Sequence, residues 1–219
     1  IMKKVILISL FGLLIAACNP SSNSRSESSK TEETTVDSVQ FYEYQRAFTK
    51  LTWTAYKTTA KVGVSGSFDE FNVNPGVSYG TVTALLDQLE FSIPVSTTNS
   101  QNEERDGKIA ATFFGSMMNT ENITGKFTSV AGNDTSGSIR IEISMNDIAY
   151  EVDGAYAVEG NKVTINTSIH LGDWKAEPSV SALNKVCDDL HKGEDGISKL
   201  WPEVDIVIET SLKPVSNAS

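Results

Sequence analysis

The chain has 219 residues, enough for one domain of ordinary size with appendages, and 28 acidic against 18 basic side chains give it a formal charge of −10. An acidic surface repels phosphate backbones, and no basic stripe with interleaved aromatics interrupts it, so nucleic acid is excluded as a partner. The 2 histidines, His170 and His191, stand at a spacing with no ligand motif, which argues against a metal.

Lys3 and Lys4 precede an apolar run from Val5 to Ile15 relieved only by Ser9 and Gly12, and Ile15-Ala16-Ala17-Cys18 closes it. The run is shorter than the ~20 residues a bilayer core needs, so residues 1–17 read as a signal peptide rather than a spanning helix. A cut before cysteine resembles a bacterial lipobox. It implies acylation of Cys18 and a lipid-anchored protein of the bacterial cell envelope, at the outer membrane and facing periplasm or surface. Several acyl chains on one residue anchor stably where a single chain binds only marginally. With Cys18 acylated, Cys187 is left alone and no disulfide framework is possible. Residues 18–38 are mostly Ser, Thr, Glu and Asn without an aromatic side chain, a disordered tether spanning roughly 25 Å. The folded domain is expected over 39–213, with 214–219 as a disordered tail.

Phe41, Tyr44 and Phe48 recur at three and four residues, the spacing of a short helical or irregular lead-in. Leu51, Trp53 and Ala55 then alternate with polar residues, and Val62, Val64, Gly66 and Phe68 share one face. Val82 to Val95 reads as mostly extended, its end alternating as Leu89, Phe91, Ile93 and Val95, with Pro94 marking a bulge or an end. A polar loop carrying Arg105-Asp106 follows, and then Phe113-Phe114, a doublet that should plug or line a core.

The second half alternates more cleanly. Ile139, Ile141, Ile143 and Met145 form one dry face, as do Tyr150, Val152 and Tyr156, then Val163, Ile165, Ile169 and Leu171, and finally Val204, Ile206, Ile208 and Leu212. Gly132-Asn133-Asp134, Asn146-Asp147 and Glu159-Gly160-Asn161 punctuate them as antiparallel hairpins. About eight such strands make either a sandwich or a barrel. One amphipathic helix interrupts them. Pro178 and Ser179 suit its first turn, Val180, Leu183, Val186, Cys187 and Leu190 form its stripe, and Lys192-Gly193 ends it, with Trp174 and Trp201 as flanking anchors.

No constellation for catalysis emerges: Ser168 and His170 point the same way at solvent, near Asp173 but without a shaped pocket, and no phosphate-cradling glycine loop is present. The chain therefore reads as a non-enzyme. Arg105-Asp106 is the sharpest polar feature, either meeting a ligand head at a pocket mouth or pinning a long loop. Lys57 and Lys126 are weaker mouth candidates.

The stretch from Phe91 to Gly115, with Ile93-Pro94-Val95-Ser96 ending a strand, a polar turn, Arg105-Asp106, small residues and Phe113-Phe114, is similar to the central signature of the YceI-like family. The likeness extends to Gly63-Val64-Ser65-Gly66-Ser67-Phe68 and to the strands from Ser136 to Val158, and covers roughly Phe48 to Leu212. The sequence departs from the family at Lys57-Thr58, where His-Ser is common, and at Asn146-Asp147-Ile148-Ala149, where the turn is usually Asn-Gly-Val-Thr. The resemblance implies an all-β, lipocalin-like antiparallel barrel with one short helix, a bound polyisoprenoid, quinone or fatty-acyl lipid in place of any cofactor, and a possible homodimer. Lining side chains would then come from the first half as Trp53, Val64, Phe68, Leu89, Phe91, Ile93, Phe113 and Phe127. The second half would supply Ile141, Ile143, Tyr150, Val152, Ile165, Ile169, Ile206 and Ile208. Each buried methylene contributes about 0.8 kcal/mol, so a few isoprene units suffice for micromolar affinity. Alternation does not tell a lined cavity from a filled one, and a closed-core barrel acting as a non-lipid binding or scaffold module is the alternative.

Overall fold

Hairpin turns dictate the architecture. The computed structural model describes residues 39–216, so the signal peptide, Cys18 and the tether lie outside the described residues. The described part opens with β1 (Phe41–Glu43), a 3-10 turn Arg46–Phe48, β2 (Thr49–Lys57), β3 (Val62–Phe68) and β4 (Asn72–Asn74). Then come α1 (Val82–Leu86), β5 (Glu90–Pro94), β6 (Thr98–Asn99) and α2 (Glu103–Lys108). The cleanly alternating half forms β7 (Asn122–Gly132), β8 (Ser136–Met145), β9 (Ile148–Glu159) and β10 (Lys162–His170), followed by α3 (Glu177–Val186), β11 (Leu200–Ser211) and β12 (Lys213–Val215). Asn146 and Asp147 join β8 to β9 with φ of 52° and 56°, the left-handed pair whose twist matches that of the flanking strands.

All pairings are antiparallel, and ten strands lie in the order β4-β5-β7-β8-β9-β10-β11-β2-β3-β6. The two edges belong to the same chain segments. β3 runs into β4 through Asp69–Phe71, and β5 runs into β6 through the 3-10 turn Val95–Thr97. These two bent strands pair at both ends, Val73 opposite Phe91 and Phe68 opposite Thr98, with Asp69 N–H donating to Thr97 O at 2.9 Å between them. Taken as continuous paths, the ten strands of the sheet are eight, curled into the lipocalin-like barrel.

Several expectations are corrected. Val82–Val95 is not continuously extended: Thr81 caps α1 by accepting from Ala84 N–H at 3.3 Å, and Val82, Leu85 and Leu86 bury one helical face. The lead-in begins as a strand, because β1 pairs with β12, Phe41 opposite Val215, and only its second part is irregular at Tyr44 and Gln45 and helical at the 3-10 turn Arg46–Phe48, as expected. Pro214 and Val215 accordingly belong to the fold and not to a tail. The polar run before Phe113 is helical: Asn102 caps α2 by accepting from Arg105 N–H at 2.9 Å, and Lys108 meets Glu104 one turn back at 2.7 Å. On the predicted amphipathic stripe Val180 and Cys187 are buried, but α3 ends at Val186, which is exposed like Leu190.

The core gathers at the ends of the barrel as well as inside it. Trp174 is 0% exposed and donates its Nε1–H to Ile143 O at 2.9 Å, and Asn146 Nδ2 donates to Trp174 O at 2.8 Å, so the 3-10 turn Leu171–Trp174 is riveted to the β8–β9 hairpin. Trp174→Ala should lower unfolding free energy by about 3–5 kcal/mol in urea melts; a loss below about 1 kcal/mol would show the rivet to be dispensable.

His191 is buried in the turn after α3, its Nδ1 2.8 Å from Asn184 Oδ1. Burial, with a contribution from the nearby Lys57 charge and partial opposition from Asp188, depresses its pKa below the ordinary 6.5. The unfolded chain therefore binds the His191 proton first as pH falls, so this contribution to stability is complete above about 6.5 and is lost below it. Melting temperature should drop between pH 7 and pH 5 by more in the native chain than in His191→Asn; equal slopes would assign the pH dependence to other groups.

Candidate functional site

The inward faces of the strands define one apolar cavity of about 230 Å³. Its walls are β2, β3, β5, β7, β8, β10 and β11; α1 contributes Val82, Leu85 and Leu86, and α3 contributes Val180 and Leu183. No charged side chain lines it, and its polar lining is confined to Thr49, Thr98, Thr167, Thr210 and Tyr44 together with the ring nitrogens of Trp53 and Trp201.

Burial separates a lined space from a filled one. Ile141, Val163 and Ile165 on β8 and β10 are nearly inaccessible, at 2%, 1% and 4%, whereas Leu51, Trp53, Val204, Ile206 and Ile208 on β2 and β11 point inward and are only half-buried. Side chains in a filled interior touch neighbours on every side. Those of β2 and β11 face free space.

Two glycines explain how the space is kept. Trp53 faces Gly66 across the β2–β3 ladder, and a Cβ at Gly66 would stand 2.2 Å from its indole. Phe91 faces Gly125 across β5 and β7, where a Cβ would stand 2.3 Å from Glu142 O and 2.4 Å from the Phe91 ring. Both rings lie against the wall over a missing side chain instead of projecting across the lumen.

Of the side chains expected to line a pocket, Trp53, Phe68, Leu89, Phe91, Ile93, Phe113, Phe127, Ile141, Ile143, Ile165, Ile169, Ile206 and Ile208 face the cavity. Val64, Tyr150 and Val152 do not. Val64 pairs with Ala55 two residues beyond the Trp53–Gly66 contact, towards the β2–β3 turn. Tyr150 is exposed and packs edge-on against Trp174, ring centroids 5.5 Å apart, and Val152 is buried two residues further along β9. Phe113 and Phe114 are both buried and line the cavity: a π-turn over Ile109–Phe113 alters the helical angle so that consecutive rings turn inward, in edge contact at 4.9 Å. Trp201, expected only as an anchor, also lines the cavity, its Nε1–H donating to Thr58 O at 2.7 Å. Tyr44, Phe71 and the α1 residues are further lining positions that alternation did not reveal. The Thr81 cap ahead of apolar residues at i, i+3 and i+4 is the signal for α1.

Arg105 and Asp106 are not at the cavity. Asp106 accepts from Ser100 N–H at 2.9 Å and from the Ser100 hydroxyl, while Arg105 donates to Ser100 Oγ and Ser100 O, each at 2.6 Å. Both clamp the β6–α2 turn, the pinning role. Lys126 stands outside, paired with Glu142 at 3.5 Å, and Lys57 donates to Leu190 O at 2.9 Å. His170 is exposed and accepts from Gly172 N–H at 3.2 Å. Among the described residues no three His, Cys, Asp or Glu side chains converge as metal ligands.

The glycine contacts give a direct test of how the lumen is kept open. In Gly66→Ala the atoms nearest the new Cβ all belong to the Trp53 indole, so the indole should swing into the cavity, shift its fluorescence and reduce uptake of an apolar dye several-fold. Unchanged emission and uptake would show that the ring position does not set the free space.

No sequence relative was found among curated proteins. Among solved structures, the fold is similar to that of Burkholderia cenocepacia BcnA, at 14% identity and TM-score 0.54 over 80% of this chain and 100% of that one. A polyisoprenoid-binding domain from Saccharophagus degradans gives 12% and 0.52 over 80% and 98%. A Campylobacter jejuni YceI protein gives 12% and 0.52 over 71% and 87%. At these identities the likeness establishes the fold. The model of the YceI-like domain matches residues 42–212, nearly the whole of the barrel described above, and the chain therefore belongs to the YceI-like family.

Proposed function

We propose that this protein is a non-enzymatic carrier that takes up the long apolar chain of an amphiphile, a polyisoprenoid, a quinone or a fatty-acyl derivative, and shields it from water. The observation that carries the reading is the half-buried, inward-facing row of Leu51, Trp53, Val204, Ile206 and Ile208 around a cavity without a charged side chain. Apolar surface left facing free space is stabilised by an apolar occupant at about 25 cal/mol per Å² removed from water. The binding named for the Saccharophagus degradans domain agrees with this chemistry. The closed-core alternative requires those five residues to be packed on all sides.

The lipobox-like Ile15-Ala16-Ala17-Cys18 and the polar tether supply the setting: an acylated protein of the bacterial envelope, its barrel held clear of the membrane while storing or passing on a lipid. Native mass spectrometry of the chain from Asn19 to Ser219, purified without detergent, with organic extraction, tests the carrier reading. One lipid per barrel is expected, and the same spectrum reports the homodimer proposed from the family likeness. An empty mass with no uptake of added prenols or fatty acids would sink the proposal.

A further inference from the structure

Two polar atoms on the cavity lining are buried without a hydrogen-bond partner, Tyr44 Oη and Thr98 Oγ1. Buried hydroxyls in folded proteins almost always have a partner, because an unmade hydrogen bond forfeits the hydration the group had in water. Tyr44 has polar company. It lies close enough to Thr49 for that hydroxyl to oppose the effect of burial slightly, the Thr49 hydroxyl pairs with Thr210 Oγ1 at 2.7 Å, and both threonines face the same cavity.

We propose that Tyr44, with the Thr49–Thr210 pair beside it, is a subsite for an uncharged oxygen-bearing head of the bound lipid, the Tyr44 hydroxyl donating to that oxygen. This rests on the carrier reading above. Burial pushes the Tyr44 hydroxyl above its ordinary value of 10, so it keeps its proton. A phosphate or carboxylate does not suit the site, since an ion buried without a counter-charge is strongly disfavoured. The cation on the same segment, Arg46, is near enough to oppose the effect of burial on Tyr44 slightly, but it is exposed and engaged elsewhere: its Nε–H donates to Phe71 O at 2.6 Å and its guanidinium lies over the Phe71 ring at 4.8 Å.

The test compares the delipidated chain from Asn19 to Ser219, which holds the whole compact unit Ser38–Ser219, with its Tyr44→Phe variant. Three probes of one chain length are titrated: geranylgeraniol, geranylgeranyl phosphate and the hydrocarbon phytane. The native protein should bind the alcohol about 3- to 10-fold more tightly than the hydrocarbon, the range of one net hydrogen bond, and should bind the phosphate more weakly than the alcohol. Tyr44→Phe should lose the preference for the alcohol, keep its affinity for phytane, and melt at a higher temperature when empty because the unpartnered hydroxyl is gone. A preference that survives in Tyr44→Phe, alcohol and hydrocarbon bound alike by the native chain, or phosphate bound as tightly as alcohol would each overturn the subsite and leave the carrier reading standing. Failure of all three probes to bind the native chain would overturn both.

Discussion

The structure depends on one constraint, the closure of the sheet. β2 and β11, the first and last long strands of the chain, pair with each other, with Leu51 opposite Ile208 and Trp53 opposite Ile206. At the other side the bent strands β3–β4 and β5–β6 carry both edges at once. Closure abolishes most of the free edge that would template pairing with other chains. It also gives the side-chain alternation of every strand a common inside and outside, so a one-residue slip anywhere would turn a whole apolar row to solvent.

A closed ring of this size is not hollow by necessity. Interiors of such barrels are commonly filled, and filling maximises dispersion contacts. Here the large rings of Trp53 and Phe91 lie over Gly66 and Gly125 instead of across the lumen, while packed mass is placed in the closures: Trp174 beneath its turn, Phe113 and Phe114 on the π-turn, and Val82, Leu85 and Leu86 on α1. The fold thus draws its stability from one side of the barrel and its ends, and leaves β2 and β11 facing open space. That division lets an interior contact be weak in the empty state and strong in the occupied one, which is the requirement for reversible uptake.

Polar chemistry follows the same separation. Charges sit on outward faces or in turns, as with Arg105 and Asp106 on Ser100 and Lys162 beside Glu209. The interior keeps only hydroxyls, an indole N–H group directed to the Thr58 carbonyl and another directed to the Ser67 carbonyl. An interior of this kind suits a hydrophobic ligand, and the subsite proposed at Tyr44 would add a contact to a single oxygen.

Much of this was legible in local pattern. A period of two with left-handed turn residues is a property of neighbouring residues, which is why β8 to β10 and the inward side of β11 were readable from Ile139, Ile141, Val163, Ile165 and Ile206. α1, α2 and the β1–β12 pair were not, since the cap residues Thr81 and Asn102 and a partner more than a hundred residues away outweighed the apolar spacing that alternation tracks. The sequence by itself determined the all-β class and most of the inward rows, and the family likeness tipped the choice between sandwich and barrel. Only the tertiary structure decided that the interior is open, that Arg105 and Asp106 are a pin, and that Val64, Tyr150 and Val152 stand off the cavity. Free volume is a property of how opposing walls fit together, and no single strand carries it.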